Sequence, residues 1–365
     1  MKKSILMLGL AVAAMTSCTN DEVLEQNQST QKAIGFETFV NKGTRAVEET
    51  TSDITKFYAY GYYNEGNSNK GEVVFNGTTV SKTNAKSSEW TYDLDANVDD
   101  NQVAYWTKNV YQFAGYANGN EADALSYVTF ANANSIPTLT ITDYEVSDNN
   151  DLVVGLTSVD NAASDKSSQK VSFTFKHLLS KVKFTVINND NKYKMRITSP
   201  LTITGVNTKG TCTITKDGAS WTDAEETVER NNFVPVAATA ENTYIPIYNA
   251  QTNNTDYRVN SEEYFVLPQT LTDVVKFSIT ATFYDNNNQV VAVKTFTGET
   301  IVNYNNAQTP VSIAEWEPGY VYHYNISLPT AAKPIEFGTP TIGNWESGGV
   351  IELNPGDTGT NGTTN

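Results

Sequence analysis

The side chains in this chain that are equipped for chemistry are few, and their spacing assembles little of it. His177 and His323 are the only histidines, and neither has further ligands at metal-binding spacing. His177 reads as a hydrogen-bonded structural residue at a strand bend, His323 as a solvent-facing one. The stretches from Asp93 to Asp100 and Asp148-Asn149-Asn150-Asp151 offer oxygens to Ca²⁺, but neither follows EF-hand spacing and both suit Asx-rich turns between strands. No nucleophile elbow or phosphate loop occurs, and nothing marks two carboxylates as a glycosidase pair. The expectation is a non-enzyme with no catalytic residue, metal or cofactor. What remains is chemistry done to the chain. Cys18 is placed for acylation, and Arg45, followed by Ala46, sits in the small, polar setting Gly43-Thr44-Arg45 that a protease prefers.

The elements around those two residues explain why they matter. Met1-Lys2-Lys3 and the short apolar run from Ser4 to Ala14 form an export leader too short for an anchor helix. It closes on Met15-Thr16-Ser17-Cys18, which resembles a bacterial lipobox with Met15 where leucine is usual; a secreted protein with an incidental cysteine is the alternative. With Cys18 lipidated, only Cys212 remains, so no intrachain disulfide forms, and its alternating run Thr211-Cys212-Thr213-Ile214 makes it a small core residue. Residues 19–31 read as a polar tether. Beyond it Ile34, Phe36, Thr38 and Val40 fall on one face at period two, a strand that stops just before Arg45.

The 365 residues allow two domains, and a formal charge of −16 spread along the chain disfavours nucleic acid. Tyr, Phe, Val, Thr and Asn are abundant, helical spacing is absent, and polar turns break the chain. Strands are expected over 55–62, 72–76, 90–92, 105–106, 111–116, 139–146 and 151–156. Residues 161–170 lack large apolar side chains, which suggests a domain boundary. Val171 to Val186 then holds two period-two runs with a phase change at His177 to Ser180. Further strands are expected over 201–206, 212–215, 244–248, 264–267, 275–284, 290–296 and 320–328, the pair around Asp285-Asn286-Asn287-Asn288 forming a hairpin. This is an all-β protein of two antiparallel sandwiches.

Taken in order, Ile34-x-Phe36, Thr44-Arg45-Ala46, Tyr105-Trp106-Thr107, Phe113-x-x-Tyr116, Phe175-x-His177-x-x-Ser180-Lys181, Leu267-Pro268-Gln269, Trp316-x-Pro318-Gly319-x-x-Tyr322-x-Tyr324 and Ile342-x-x-Trp345 resemble the fimbrillin family of pilus subunits and lipoproteins. The resemblance implies two transthyretin-like β-sandwiches in tandem, a lipid on Cys18 that holds the precursor at the outer membrane, and cleavage between Arg45 and Ala46 by an Arg-specific surface protease. Cleavage would free the first strand, and a strand from another subunit would fill its groove head-to-tail, building a pilus that supports adhesion to host protein or glycan. The alternative is a monomeric outer-membrane lipoprotein binding a glycan or host ligand. The expected divisions are 1–17 leader, 18–45 tether and removable strand, 46–165 and 170–330 sandwiches, 331–353 donor segment and 354–365 disordered tail.

Ile335, Phe337 and Thr339 repeat the I-x-F-x-T pattern of Ile34, Phe36 and Thr38. On a strand face the two sets reach the same depths, so the second is the candidate donor. Two ordinary strands would also share such a pattern.

Overall fold

The computed structural model describes residues 32–40, 54–64, 71–84, 87–95, 102–119, 124–133, 136–147, 150–223, 233–247, 257–271, 275–298, 315–328, 336–337 and 341–344. Among these there is no helix. The strands, in chain order, are β1 (Phe36–Val40), β2 (Lys56–Asn64), β3 (Gly71–Ser81), β4 (Thr91–Tyr92), β5 (Val110–Asn118), β6 (Val128–Ala133), β7 (Ile136–Glu145) and β8 (Leu152–Asp160). Then come β9 (Val171–His177), β10 (Ser180–Asn188), β11 (Lys194–Thr204), β12 (Lys209–Thr215), β13 (Gly218–Asp223), β14 (Phe233–Val236), β15 (Arg258–Asn260) and β16 (Tyr264–Val266). The last are β17 (Gln269–Thr270), β18 (Lys276–Tyr284), β19 (Val290–Gly298), β20 (Glu315–Trp316), β21 (Tyr320–Leu328), β22 (Glu336–Phe337) and β23 (Thr341–Asn344).

A seven-stranded sheet of order β1-β9-β8-β5-β2-β3-β4 dominates the first half of the chain. Its central strands β2, β5 and β8 are apolar on both faces, as buried strands are, whereas β9 alternates. Tyr58 and Tyr60 of β2 join Tyr116, Leu152 and Val154 against Leu139, Ile141, Cys212 and Ile214 of a second sheet, β13-β12-β7-β6. Phe57 and Ala59 point the other way, into a cluster with Phe36, Phe75, Phe113 and Phe173. Small residues make room for those rings: a Cβ on Gly61 would lie 2.7 Å from Phe113. In the second half, β10 and β21 face β11 and β18 across Val182, Phe184, Val186, Ile197, Ile279, Tyr324 and Ile326. Sheet β15-β10-β21 carries β22 and β23 at the β21 edge, and β14-β11-β18-β19 is its facing layer.

Three features depart from the sequence reading. The pairing is not wholly antiparallel, since β1 runs parallel to β9 and β10 parallel to β21. Residues 161–170 join β8 to β9 within one sheet, so the chain crosses between the two sets of sheets at His177 to Ser180 rather than at the polar stretch. The phase change there is that crossing: Val171, Phe173 and Phe175 face one cluster, and Val182, Phe184 and Val186 face the other. Finally, the β12–β13 hairpin returns to the first half, β12 pairing antiparallel with β7.

The crossing is pinned from both sides. Leu178 and Leu179 are buried in the first half, the Trp221 indole donates to the Leu178 carbonyl at 2.9 Å, and the Gly319 amide donates to the Leu179 carbonyl at 2.8 Å. Neither half is therefore closed on its own. Deleting residues 209–223 removes Cys212 and Ile214 from the first half's core, at about 1.5–3 kcal/mol per buried apolar side chain. That approaches a domain's whole stability, so the deletion variant should lose the cooperative thermal transition of the first half; an unchanged transition would refute this dependence.

Candidate functional site

β1 lies at one end of the seven-stranded order and pairs along it only with β9, in the register Phe36↔Val171 to Val40↔Phe175. The Val171 amide donates to the Gly35 carbonyl at 2.7 Å. On its other side the segment leading into β1 meets the far end of the same sheet. The Ile34 amide donates to the Ala104 carbonyl at 2.8 Å, and the Trp106 amide donates to the Lys32 carbonyl at 3.0 Å, an antiparallel bridge centred on Ala33 and Tyr105. The Tyr92 hydroxyl, from β4, donates to the Ile34 carbonyl at 2.8 Å and accepts from the Ala104 amide at 3.1 Å. The sheet thus curls until its ends meet, and residues 32–40 close the seam.

Ile34 and Phe36 are each 1% exposed. The Phe36 ring stands 5.3 Å from Phe75, 5.6 Å from Tyr92 and 5.7 Å from Phe57, all edge-on, and stacks at 6.0 Å on Phe173. Each such aromatic pair contributes about 0.5–1.5 kcal/mol beyond burial. Burial pushes the Tyr92 hydroxyl up to about 12, so it keeps its proton and stays a donor at physiological pH. Thr38 is half-buried; Val40 is defined by its backbone pairing with Phe175. The seam offers rings, aliphatic surface, backbone groups and one phenol. That chemistry holds an extended strand and turns over no substrate.

Cys18, Arg45, Ala46, Ile335 and Thr339 lie outside the described residues. Phe337 is described by its backbone, which pairs in β22 with Ile326 of β21 antiparallel; β23 continues along the same edge, opposite Tyr320 to His323. Cys212 is buried, and its thiol is pushed up to about 12 by burial. His177 is held by Asp151, Nδ1 to Oδ2 at 2.7 Å. Asp93 accepts from the Asp95 and Gln102 amides, the geometry of a self-capped turn, and among the described residues no three metal-ligating side chains converge.

His323 corrects the expectation that it faces solvent. It is half-buried in β21, 2.7 Å from Thr185 Oγ1. Because Thr185 gives its one proton to Asn260 at 2.6 Å, the imidazole must donate from Nε2. Alternation showed which face His323 occupies; it did not show that β10 lies alongside to cover it. Tyr92 and Trp106 were likewise visible only as members of aromatic runs, and Ala104 not at all, since their contact with residues 32–34 requires closure of the whole sheet.

A family model described as fimbrillin-like matches residues 44–345. The fimbrium subunit Fim1C of Phocaeicola vulgatus is 26% identical over 197 residues, covering 49% of this chain and 50% of that protein. The chain therefore spans about half the length of this curated relative. A crystal structure of a fimbrial protein from Bacteroides vulgatus superposes with a TM-score of 0.53 at 15% identity, covering 86% of this chain and 99% of that one, which shows a common fold.

Two outcomes are expected. Phe36→Ala should destabilise the chain by about 3–5 kcal/mol in denaturant titrations, with Glu37→Gln within about 0.5 kcal/mol; equal effects would mean that β1 is not core. Burial, followed by the Lys183 charge, holds the His323 pKa below 6.5. A proton therefore binds the unfolded chain more readily, and this contribution to stability is complete above pH 6.5 and falls as pH drops below it. His323→Gln should flatten that decline in unfolding free energy between about pH 7 and about pH 5, and identical slopes would count against it.

Proposed function

The chain belongs to the fimbrillin-like family, its model matching residues 44–345, and from that premise we infer that it is a structural subunit of a cell-surface pilus whose β1 is a removable placeholder. In this reading the chain is exported as a precursor anchored in the outer membrane by a lipid on Cys18. An Arg-specific surface protease cuts between Arg45 and Ala46, β1 leaves, and a strand of another subunit takes its place. The two sets of sheets are two transthyretin-like sandwiches in tandem, and the assembled pilus supports adhesion to host protein or glycan.

The observation that carries this reading is β1 itself. It is an edge strand by pairing, yet it and the residue two positions before it insert two wholly buried side chains, Phe36 and Ile34, into the core. An ordinary edge is blunted so that nothing adds to it. Here removal leaves a bare β9 edge, the Ala104 and Trp106 backbone groups, and an aromatic trough, which together form a template for strand addition. Support comes also from the family match, which starts at residue 44, C-terminal to β1.

The donor in this reading is the segment with Ile335, Phe337 and Thr339, reusing the spacing of Ile34, Phe36 and Thr38. β22 and β23 pair with β21 at a sheet edge, so their departure would open no sheet interior. Donor and groove occupy different surfaces, so the contact is head-to-tail and does not close on itself.

The test is assembly. Purified precursor incubated with an Arg-specific protease should give ladders on gels run without boiling, and Arg45→Ala should stay folded and give none. A clean shift to one smaller monomer would favour the monomeric ligand-binding lipoprotein, and ladders from Arg45→Ala would remove the cleavage step.

A further inference from the structure

We propose that Lys170, at the rim of the seam, is a contact residue for the incoming strand and pairs with Glu336 of a second copy. This rests on the strand-replacement reading above and adds to it a register, a residue and a readout.

The register comes from two stretches of sequence. Set against residues 32–38, residues 333–339 place Lys333, Ile335, Phe337 and Thr339 on Lys32, Ile34, Phe36 and Thr38, identical at every second position. The differences lie on the other face, where Pro334, Glu336 and Gly338 take the places of Ala33, Gly35 and Glu37. Proline lacks the amide proton that most strand positions use. The bridge to the 104–106 segment uses the Ile34 amide and the Lys32 carbonyl, and the ladder with β9 opens at the Gly35 carbonyl. The Ala33 amide belongs to neither, and Ala33 is exposed, so proline fits there as it does at the first residue of a strand. Alternate residues of β1 face β9, so the ladder that takes the Gly35 carbonyl next takes the amides of Glu37 and Phe39. Gly338 supplies the first of these. Pro340, at the place of Phe39, gives up the second, and the match ends at Thr339.

Glu336 is where the second copy gains a contact that β1 lacks. A Cβ on Gly35 would lie 3.5 Å from Lys170 Cγ, an ordinary van der Waals contact, and would meet no other residue outside its chain neighbours within 4 Å. Gly35 is not among the glycines with positive φ, so a side chain there strains no backbone. A glutamate at this place starts beside the Lys170 stem and leaves toward solvent with it, which lets carboxylate and ammonium meet. Lys170 is exposed, and among the described residues no acid pairs with it. β1 carries glycine here and leaves that charge unused; the incoming strand uses it. An exposed pair is modest in strength, so it ranks strands that already present an aliphatic and an aromatic residue at the two inward positions.

The experiment uses the full chain with a site-specific protease sequence replacing residues 43–47, cut after folding. Labelled peptides of residues 331–341, unsubstituted and with Glu336→Lys, compete with the cut strand at low ionic strength, where exposed pairs are least screened. The unsubstituted peptide should bind roughly two- to fivefold tighter than Glu336→Lys, and Lys170→Glu in the chain should reverse that order. Pro334→Ala should bind no tighter than the unsubstituted peptide, and Pro340→Val should bind tighter. The same order of the two peptides on both chains overturns the Lys170 contact. Tighter binding by Pro334→Ala, or none by Pro340→Val, overturns the register; each of these results leaves strand replacement standing. Displacement by a peptide of residues 32–42 alone overturns residues 333–339 as the donor. Displacement by no peptide overturns strand replacement itself, and this proposal with it.

Discussion

The Phe36 ring, held among Phe57, Phe75, Tyr92 and Phe173, is the contact on which the first half of the structure depends. A seven-stranded sheet whose central strands β2, β5 and β8 are apolar on both faces needs two covers. β6, β7, β12 and β13 supply one. No second layer of that kind covers the other face among the described residues; the sheet bends until Tyr92 and Ala104 meet Ile34. Curling solves the burial problem with the sheet's own strands, but it concentrates closure in a single segment. Phe36 is therefore at once an edge-strand residue by pairing and a central residue by burial, so the strand is costly to lose.

The second half is not a passive neighbour. β9, which carries one wall of the seam, continues through Leu178 and Leu179 directly into β10, the strand that pairs with β21. β21 in turn bears β22 and β23. The seam and the C-terminal strands are thus linked through strand pairs and one short, heavily bonded crossing rather than through a loose linker. The return of β12 and β13 to the first half fastens the two further.

How much of this was legible follows from what periodicity encodes. Alternation at Ile34, Phe36, Thr38 and Val40 set the inward face of β1, and the parity switch between Phe175 and Val182 marked the crossing, because a period of two fixes faces. It says nothing of partners. The parallel pairing of residues 36–40 with 171–175, and the antiparallel pairing of β7 with the β12 hairpin, join segments whose local patterns are those of any strand. The polar stretch at 161–170 misled for a related reason: a surface connection between two paired strands has the same composition as a linker between domains. Lys56 to Tyr63 hid its meaning differently, since Phe57 and Tyr58 are both buried, on opposite faces.

The chemistry of the seam also says what can give it selectivity. A chain of net charge −16 repels its own copies at long range, and the described contacts of Ile34 and Phe36 are rings, aliphatic surface and backbone. Net charge therefore works against encounter. Inside the seam, backbone ladders are sequence-blind. What remains there is shape, through the depth of the Phe36 pocket among Phe57, Phe75, Tyr92 and Phe173. A seam built so is tolerant of sequence drift outside two inward positions and intolerant at those two.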